Sequence, residues 1–190
     1  MSLGRLFLLP ALLLAVSLPA LAGTPSIGQR APDFTLPAID GSSFSLSQLT
    51  ANSRLVVVVL RGYPGYQCPF SQQQFQNYVQ SASQFASLGT QVLLVYPGQD
   101  GKDLAADATE MTGSQPLPSN VHLVLDPGYT FTNLYGLRWN ADNETAHPST
   151  FLIHPDGTVV FSHIGQFHSD FTPVSNMLAV INADNGGTKP

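Results

Sequence analysis

Residues Arg54 to Leu60 (RLVVVVL) show no alternation of polar and apolar positions and are rich in β-branched side chains. That pattern predicts a central strand buried on both faces, in a parallel setting. Upstream, Ala31-Pro32-Asp33-Phe34-Thr35-Leu36-Pro37 alternates, Asp40-Gly41 signals a turn, and Phe44-Ser45-Leu46 resumes, which reads as an N-terminal β-hairpin. Downstream, Phe75, Tyr78, Val79, Ala82 and Phe85 recur at steps of three and four. They predict one helix from Cys68 or Pro69 to about Leu88, stopped by Gly89.

Further along, Val92 to Tyr96 reads as a strand, Gly101 to Met111 as a helix, Val121 to Leu125 as a strand and Tyr129 to Tyr135 as a short helix. Thr150 to His154 and Val159 to His163 flank Pro155-Asp156-Gly157 as a second hairpin. Phe171 to Ile181 closes the domain as a helix, with Asn182 to Pro190 expected to fray. Strands alternating with helices and ending in a hairpin and a helix predict an α/β domain with a mixed central sheet flanked by helices.

The first residues belong to a different pattern. Arg5, an apolar run from Leu6 to Val16, and Ala20-Leu21-Ala22 form a basic, an apolar and a small-residue region, so residues 1–22 read as a cleavable signal peptide. Pro10 and Pro19 interrupt the run, which is short of the roughly 20 residues a membrane span needs. A periplasmic or secreted protein follows as the expectation, with residues 23–190 forming a single domain. Without Arg5, six of the seven basic residues remain against twelve acidic ones. They form no cluster, which excludes nucleic-acid binding as an expected function.

The chain has one cysteine. A free thiol in an oxidising compartment is either buried and inert or kept for its reactivity. Cys68 falls where a buried strand has ended and a helix begins, with Pro69 in the slot where proline is favoured as the first helical residue. A helix N-terminus and a nearby arginine both favour the thiolate, and Arg61, at the strand end, is placed to reach back to the sulfur. First-turn N–H groups are placed to donate to an oxygen displaced there. Gly62 and Gly65 give the intervening loop its backbone freedom.

These residues resemble a known family. Ile27-Gly28-Gln29-Arg30-Ala31-Pro32-Asp33-Phe34-Thr35-Leu36 is similar to the opening of the alkyl hydroperoxide reductase/thiol-specific antioxidant proteins, which are peroxiredoxin-like. Val56 to Arg61 running into Tyr66-Gln67-Cys68-Pro69, then Leu125-Asp126-Pro127 with Tyr135-Gly136-Leu137, and Pro148 to Ile153 with Pro155-Asp156-Gly157 follow in the same order. The resemblance spans about residues 27 to 180 and implies a thioredoxin-like fold. Peroxiredoxins of the main type carry a proline seven residues and a threonine three residues before the reactive cysteine; here those positions hold Arg61 and Gly65. Where they carry an arginine before the F-x-I-type strand, this chain has Pro148, which resembles the cis-proline of thioredoxin-like proteins. The loop is similar to a branch with a C-P-x-C motif, whose second cysteine is Ser71 here.

The resemblance implies a one-cysteine thiol oxidoreductase. Cys68 would act on a peroxide or disulfide substrate, supported by Arg61, Gly65, Pro69 and Pro148, and an external thiol would reduce it; no cofactor or metal is needed, and a homodimer is compatible with the sequence. Two other readings stand beside this one. A degenerate redoxin would bind a partner without turnover. A copper-binding module would use Cys68 with His147, His154, His163 and His168, although their spacing lacks the short fixed intervals of strong metal motifs.

Overall fold

The computed structural model describes residues 23–100, 103–113 and 115–187; the expected signal peptide lies outside them. Its centre is the uninterrupted apolar run. Strand β3 (Arg54–Val59) lies in the middle of a five-stranded sheet. It pairs in parallel with β4 (Thr90–Gly98), which pairs in parallel with β5 (Val121–Pro127). On its other side β3 pairs antiparallel with β6 (Ser149–Ile153), followed by β7 (Val159–Ile164). The sheet is thus mixed, parallel on one side of β3 and antiparallel on the other, and a core on each face accounts for its uninterrupted apolar run. Alternate residues of β3 supply separate cores: Leu55, Val57 and Val59 face Phe131, Tyr135 and Phe151, while Val56 and Val58 face Phe75, Tyr78 and Phe85.

The N-terminal hairpin forms as expected, from β1 (Thr35–Pro37) and β2 (Ser43–Ser45). A short helix, α1 (Leu46–Thr50), follows it where the sequence reading continued the strand. The reason is a capping box: the Ser45 hydroxyl accepts the Gln48 N–H, and the Gln48 side chain accepts the Ser45 N–H. The expected long helix is two, α2 (Pro69–Gln80) and α3 (Ala82–Ser87), broken at Ser81. Stacking of Tyr78 on Phe85 keeps one apolar face continuous across the break.

Helix α4 (Leu104–Thr112) is capped by the Asp103 carboxylate, which accepts the Ala106 N–H; residues 101 and 102, where the helix was expected to begin, lie outside the described residues. Helix α5 (Thr130–Leu134) is anchored by buried Asp126, whose carboxylate accepts the Phe131 and Thr132 N–H groups and the Thr132 hydroxyl. Helix α6 (Val174–Gly187) begins after Pro173 and continues through 182–187, part of the stretch expected to fray. A charged clamp holds that far end: Asp184 takes Arg54 Nε at 2.8 Å and His154 Nε2 at 2.7 Å, joining α6 to β3 and to the β6–β7 turn.

Burial works against the Asp184 carboxylate, but hydrogen bonds from His154 and Arg54 and their charges outweigh it and hold its pKa below the ordinary value. A depressed folded-state pKa contributes stability that is fully present above the unfolded value of 3.8 and is lost as pH falls through the folded one. Urea unfolding of the protein and of Asp184→Asn is expected to differ most near neutrality, with the difference shrinking as the solution is acidified below that value.

Candidate functional site

The site is built at the carboxyl end of β3. Leu60 continues the ladder by donating to Val95 O at 2.9 Å, and the chain then turns outward. Gly62 makes the turn possible: its φ is +71°, and a Cβ there would lie 1.8 Å from the Pro97 carbonyl oxygen. The next residue locks the turn, Tyr63 N–H donating to that same oxygen at 3.2 Å. Gly65 has φ +126° in open space, so its backbone angles rather than any close approach call for glycine. Gln67 pins the loop's far end, donating through Nε2 to Asp107 O at 2.7 Å and accepting from Tyr96 Oη at 3.0 Å.

Cys68 follows as the N-cap of α2, with φ −80° and ψ 118°, and Pro69 occupies the first helical turn. The thiol is therefore held at the end of a 12-residue helix where backbone N–H groups have no intrahelical acceptor and the dipole is positive. It is 2% exposed. Ser71, three residues on, is also buried, and its hydroxyl accepts the Arg61 N–H at 2.9 Å. The side chain standing where a second thiol would be thus ties the helix start to the strand end.

The side chain of Arg61 is held chiefly by the 143–144 segment. Arg61 is 2% exposed and donates through Nε to Glu144 Oε2 at 2.7 Å and through Nη2 to Asn143 O. Nη1 has no hydrogen-bond partner among the described residues, and the Tyr66 ring lies 5.0 Å from the guanidinium. A buried cation must be paired, and Glu144 meets that need at 2.7 Å. Burial opposes the Arg61 charge, but the hydrogen bond and charge of Glu144 outweigh it and raise its pKa above the ordinary value. Burial likewise opposes the Glu144 charge; hydrogen bonds from Arg61 and His168, and their charges, hold its carboxyl below the usual range.

Glu144 extends the site outward. Its Oε1 pairs with His168 Nε2 at 2.9 Å. His168 lies edge-on to Trp139, which stacks flat on His147 at 4.5 Å between ring centres. Arg138 shapes this segment from inside, donating through Nη1 to the carbonyls of Trp139, Glu144 and Thr145. Pro148 comes next. The pairing of Val59 with Ser149 sets Pro148 beside Leu60, at the same end of the sheet as Arg61 and Cys68. Pro148, whose place in the sequence resembles that of the cis-proline of thioredoxin-like proteins, is trans here, the isomer X-Pro bonds prefer, and the described residues contain no cis peptide bond. Pro148 O accepts the Gly165 N–H at 2.7 Å.

The expected residues Arg61, Gly65, Cys68, Pro69 and Pro148 therefore share one end of the molecule, whereas Glu144, Trp139, the pairing of His168 with Glu144 and the role of Gln67 escape a sequence reading. A buried arginine demands a carboxylate, but the partner lies 83 residues away in the chain. The histidines do not converge as a metal reading needs. His147 pairs with Gly165 O, His154 with Asp184, His163 with Asp170 and His168 with Glu144. No group of three potential ligands is close enough to hold an ion among the described residues.

With this geometry in place, comparison with known proteins is decisive at the family level, since the AhpC/TSA family profile matches residues 27–162. The chain belongs to the AhpC/TSA family. Membership makes it a redoxin of the thiol oxidoreductase type, on a thioredoxin-like fold. Among solved structures, it is similar to the crystal structure of peroxidoxin BcpB from Mycobacterium tuberculosis, with TM-score 0.65 and 18% identity over 84% of this chain and 97% of that one. It is also similar to a putative thiol:disulfide interchange protein DsbE from Chlorobium tepidum, with TM-score 0.60 and 25% identity over 83% of this chain and 99% of that one. No functionally curated protein matches the AhpC/TSA chain.

Removing one partner of a buried ion pair leaves the other charge uncompensated. Glu144→Gln is expected to destabilise this redoxin by about 3 kcal/mol, read as a lower urea midpoint. Ser71→Ala, which leaves the buried Arg61 N–H without its acceptor, is expected to cost about 1–3 kcal/mol.

Proposed function

We propose that the chain is an exported thiol oxidoreductase working with a single cysteine, in which the Cys68 thiolate reduces a peroxide or exchanges with external thiols. One observation carries this reading: Cys68 caps α2 at the carboxyl end of β3, while Ser71 holds the position of a second thiol. In the peroxide reaction Sγ attacks one peroxide oxygen, the O–O bond breaks, and the displaced oxygen leaves with a proton as water or an alcohol. Cys68 becomes a sulfenic acid. First-turn N–H groups of α2 favour negative charge at the sulfur, and the paired Arg61 forms the buried base on which the loop rests. With one cysteine in the chain, no internal disulfide can form, so an external thiol completes the cycle through a mixed disulfide. Export rests on the basic, apolar and small-residue pattern of residues 1–22.

A second reading has its own support. A thiol that is 2% exposed, with the nearby arginine held by Glu144, also suits a redoxin that binds a partner without turnover. Treatment of the purified protein with hydrogen peroxide and dimedone, followed by peptide mass measurement, is expected to yield one adduct, on Cys68, absent from Cys68→Ser. An unmodified Cys68 under excess peroxide would overturn the peroxide chemistry and favour partner binding. Ser71→Cys is expected to replace the dimedone adduct by an internal disulfide, since the new thiol stands three residues from the sulfenic acid in the same first turn.

A further inference from the structure

The loop Gln115-Pro116-Leu117-Pro118 has no part in the thiol chemistry. With α4, the N-terminal hairpin and β5 it borders a cavity of about 550 Å³, within the roughly 300–1,000 Å³ that hold small organic ligands. Val121, His122 and Leu123, at the amino end of β5, line it. Because β5, β4 and β3 run parallel, the cavity lies toward the opposite end of the sheet from Cys68, which follows the carboxyl end of β3.

Its walls are apolar and fixed. Val121 and Leu123 are buried in the core beneath α2, and Ile39 and Leu117 pack against that core from the hairpin and the loop. On the other face of β5 the His122 and Phe44 ring centroids are 4.3 Å apart, and His122 Nε2 is bonded to the Gln91 side chain at 3.0 Å. The cavity thus wraps the edge strand of the sheet. Pro116 and Pro118 fix the loop's φ angles and offer no N–H, and the Val121 N–H is taken by Pro118 O at 2.9 Å. Thr109 and Thr112 donate their hydroxyls to the Ala105 and Thr109 carbonyls.

Charge narrows the ligand further. Asp40 is the one charged side chain of the lining among the described residues. Hydrogen bonds from the Ser42 hydroxyl and N–H lower its pKa, so it stays ionised. Burial lowers the His122 pKa below the ordinary value, so that ring adds no cation at neutral pH.

We propose that this cavity is a binding site for an uncharged, largely apolar small molecule, separate from the thiol site, and that it discriminates against anionic analogues. The apolar walls supply the affinity by taking ligand surface out of water. A wall whose hydroxyls and N–H are already paired makes no demand for a hydrogen-bonding ligand. An anion entering the cavity would meet a carboxylate and no cation to offset its desolvation. The proposal does not depend on the thiol chemistry.

The test titrates the purified full chain with two fluorescent probes of one skeleton: neutral N-phenyl-1-naphthylamine, and 1-anilinonaphthalene-8-sulfonate, which adds a negative charge. Saturable binding of the neutral probe is expected, with the sulfonate weaker by about tenfold or more. Thr109→Trp, which fills the cavity, and Leu117→Glu, which puts a charge in its wall, are each expected to weaken the neutral probe about tenfold. Phe70→Ser, which alters an exposed apolar residue beside Cys68, is expected to change nothing. Asp40→Lys, on an exposed turn, is expected to strengthen the sulfonate about two- to fivefold and to leave the neutral probe as it was; it keeps the test open where a wall variant does not fold, which circular dichroism reports. No saturable binding of the neutral probe, full binding to folded wall variants, a loss in Phe70→Ser, or a sulfonate that binds as tightly as the neutral probe and ignores Asp40→Lys would overturn the site.

Discussion

A guanidinium withdrawn from water at the end of the central strand is the constraint on which this end of the molecule depends. Arg61 cannot be buried unpaired, so the chain brings Glu144 to it from 83 residues away and Asn143 supplies a carbonyl beside it. Holding Glu144 there fixes the loop between α5 and β6, which Arg138 braces through three carbonyls. The second oxygen of Glu144 holds His168, and with it the loop between β7 and α6. One buried charge thereby fastens two distant loops around the place where Cys68 emerges.

That arrangement separates two tasks often given to one residue. An arginine beside a reactive thiol is expected to stabilise negative charge on sulfur or on a departing oxygen. Here two of its three nitrogens bond the 143–144 segment, and the α2 terminus sets its own positive end beside Cys68. Arg61 contributes mainly by setting where the loop begins; Gln67, held between Tyr96 and α4, sets where it ends. The sulfur is thus positioned by its neighbours in sequence and shielded by its neighbours in space.

Local chemistry explains which parts were legible in the sequence. β3 was readable because seven apolar-rich residues without alternation admit little else, and the hairpin because Asp40-Gly41 separates two alternating runs. α1 was missed although Ser45 and Gln48 spell a capping box, a signal overridden by reading Leu46 as the end of a strand. The break at Ser81 left no mark on the apolar periodicity, because Tyr78 and Phe85 keep the same face across it. The position of Cys68 could be read from Pro69 and the preceding strand. The partner of Arg61 could not, because ion pairing obeys no sequence spacing once the chain has folded.

Ser71 shows how one atom redirects the chemistry. A thiol at that position would be a weak acceptor for the Arg61 N–H, whereas a hydroxyl is a strong one, and the bond forms at 2.9 Å in a buried setting. On the proposed one-cysteine reading, oxygen in place of sulfur therefore tightens the junction between strand and helix while leaving Cys68 without a second thiol in its own helical turn. Under the one-cysteine reading proposed above, resolution moves outside the chain, and an external thiol must reach Cys68 where it is held at the start of α2.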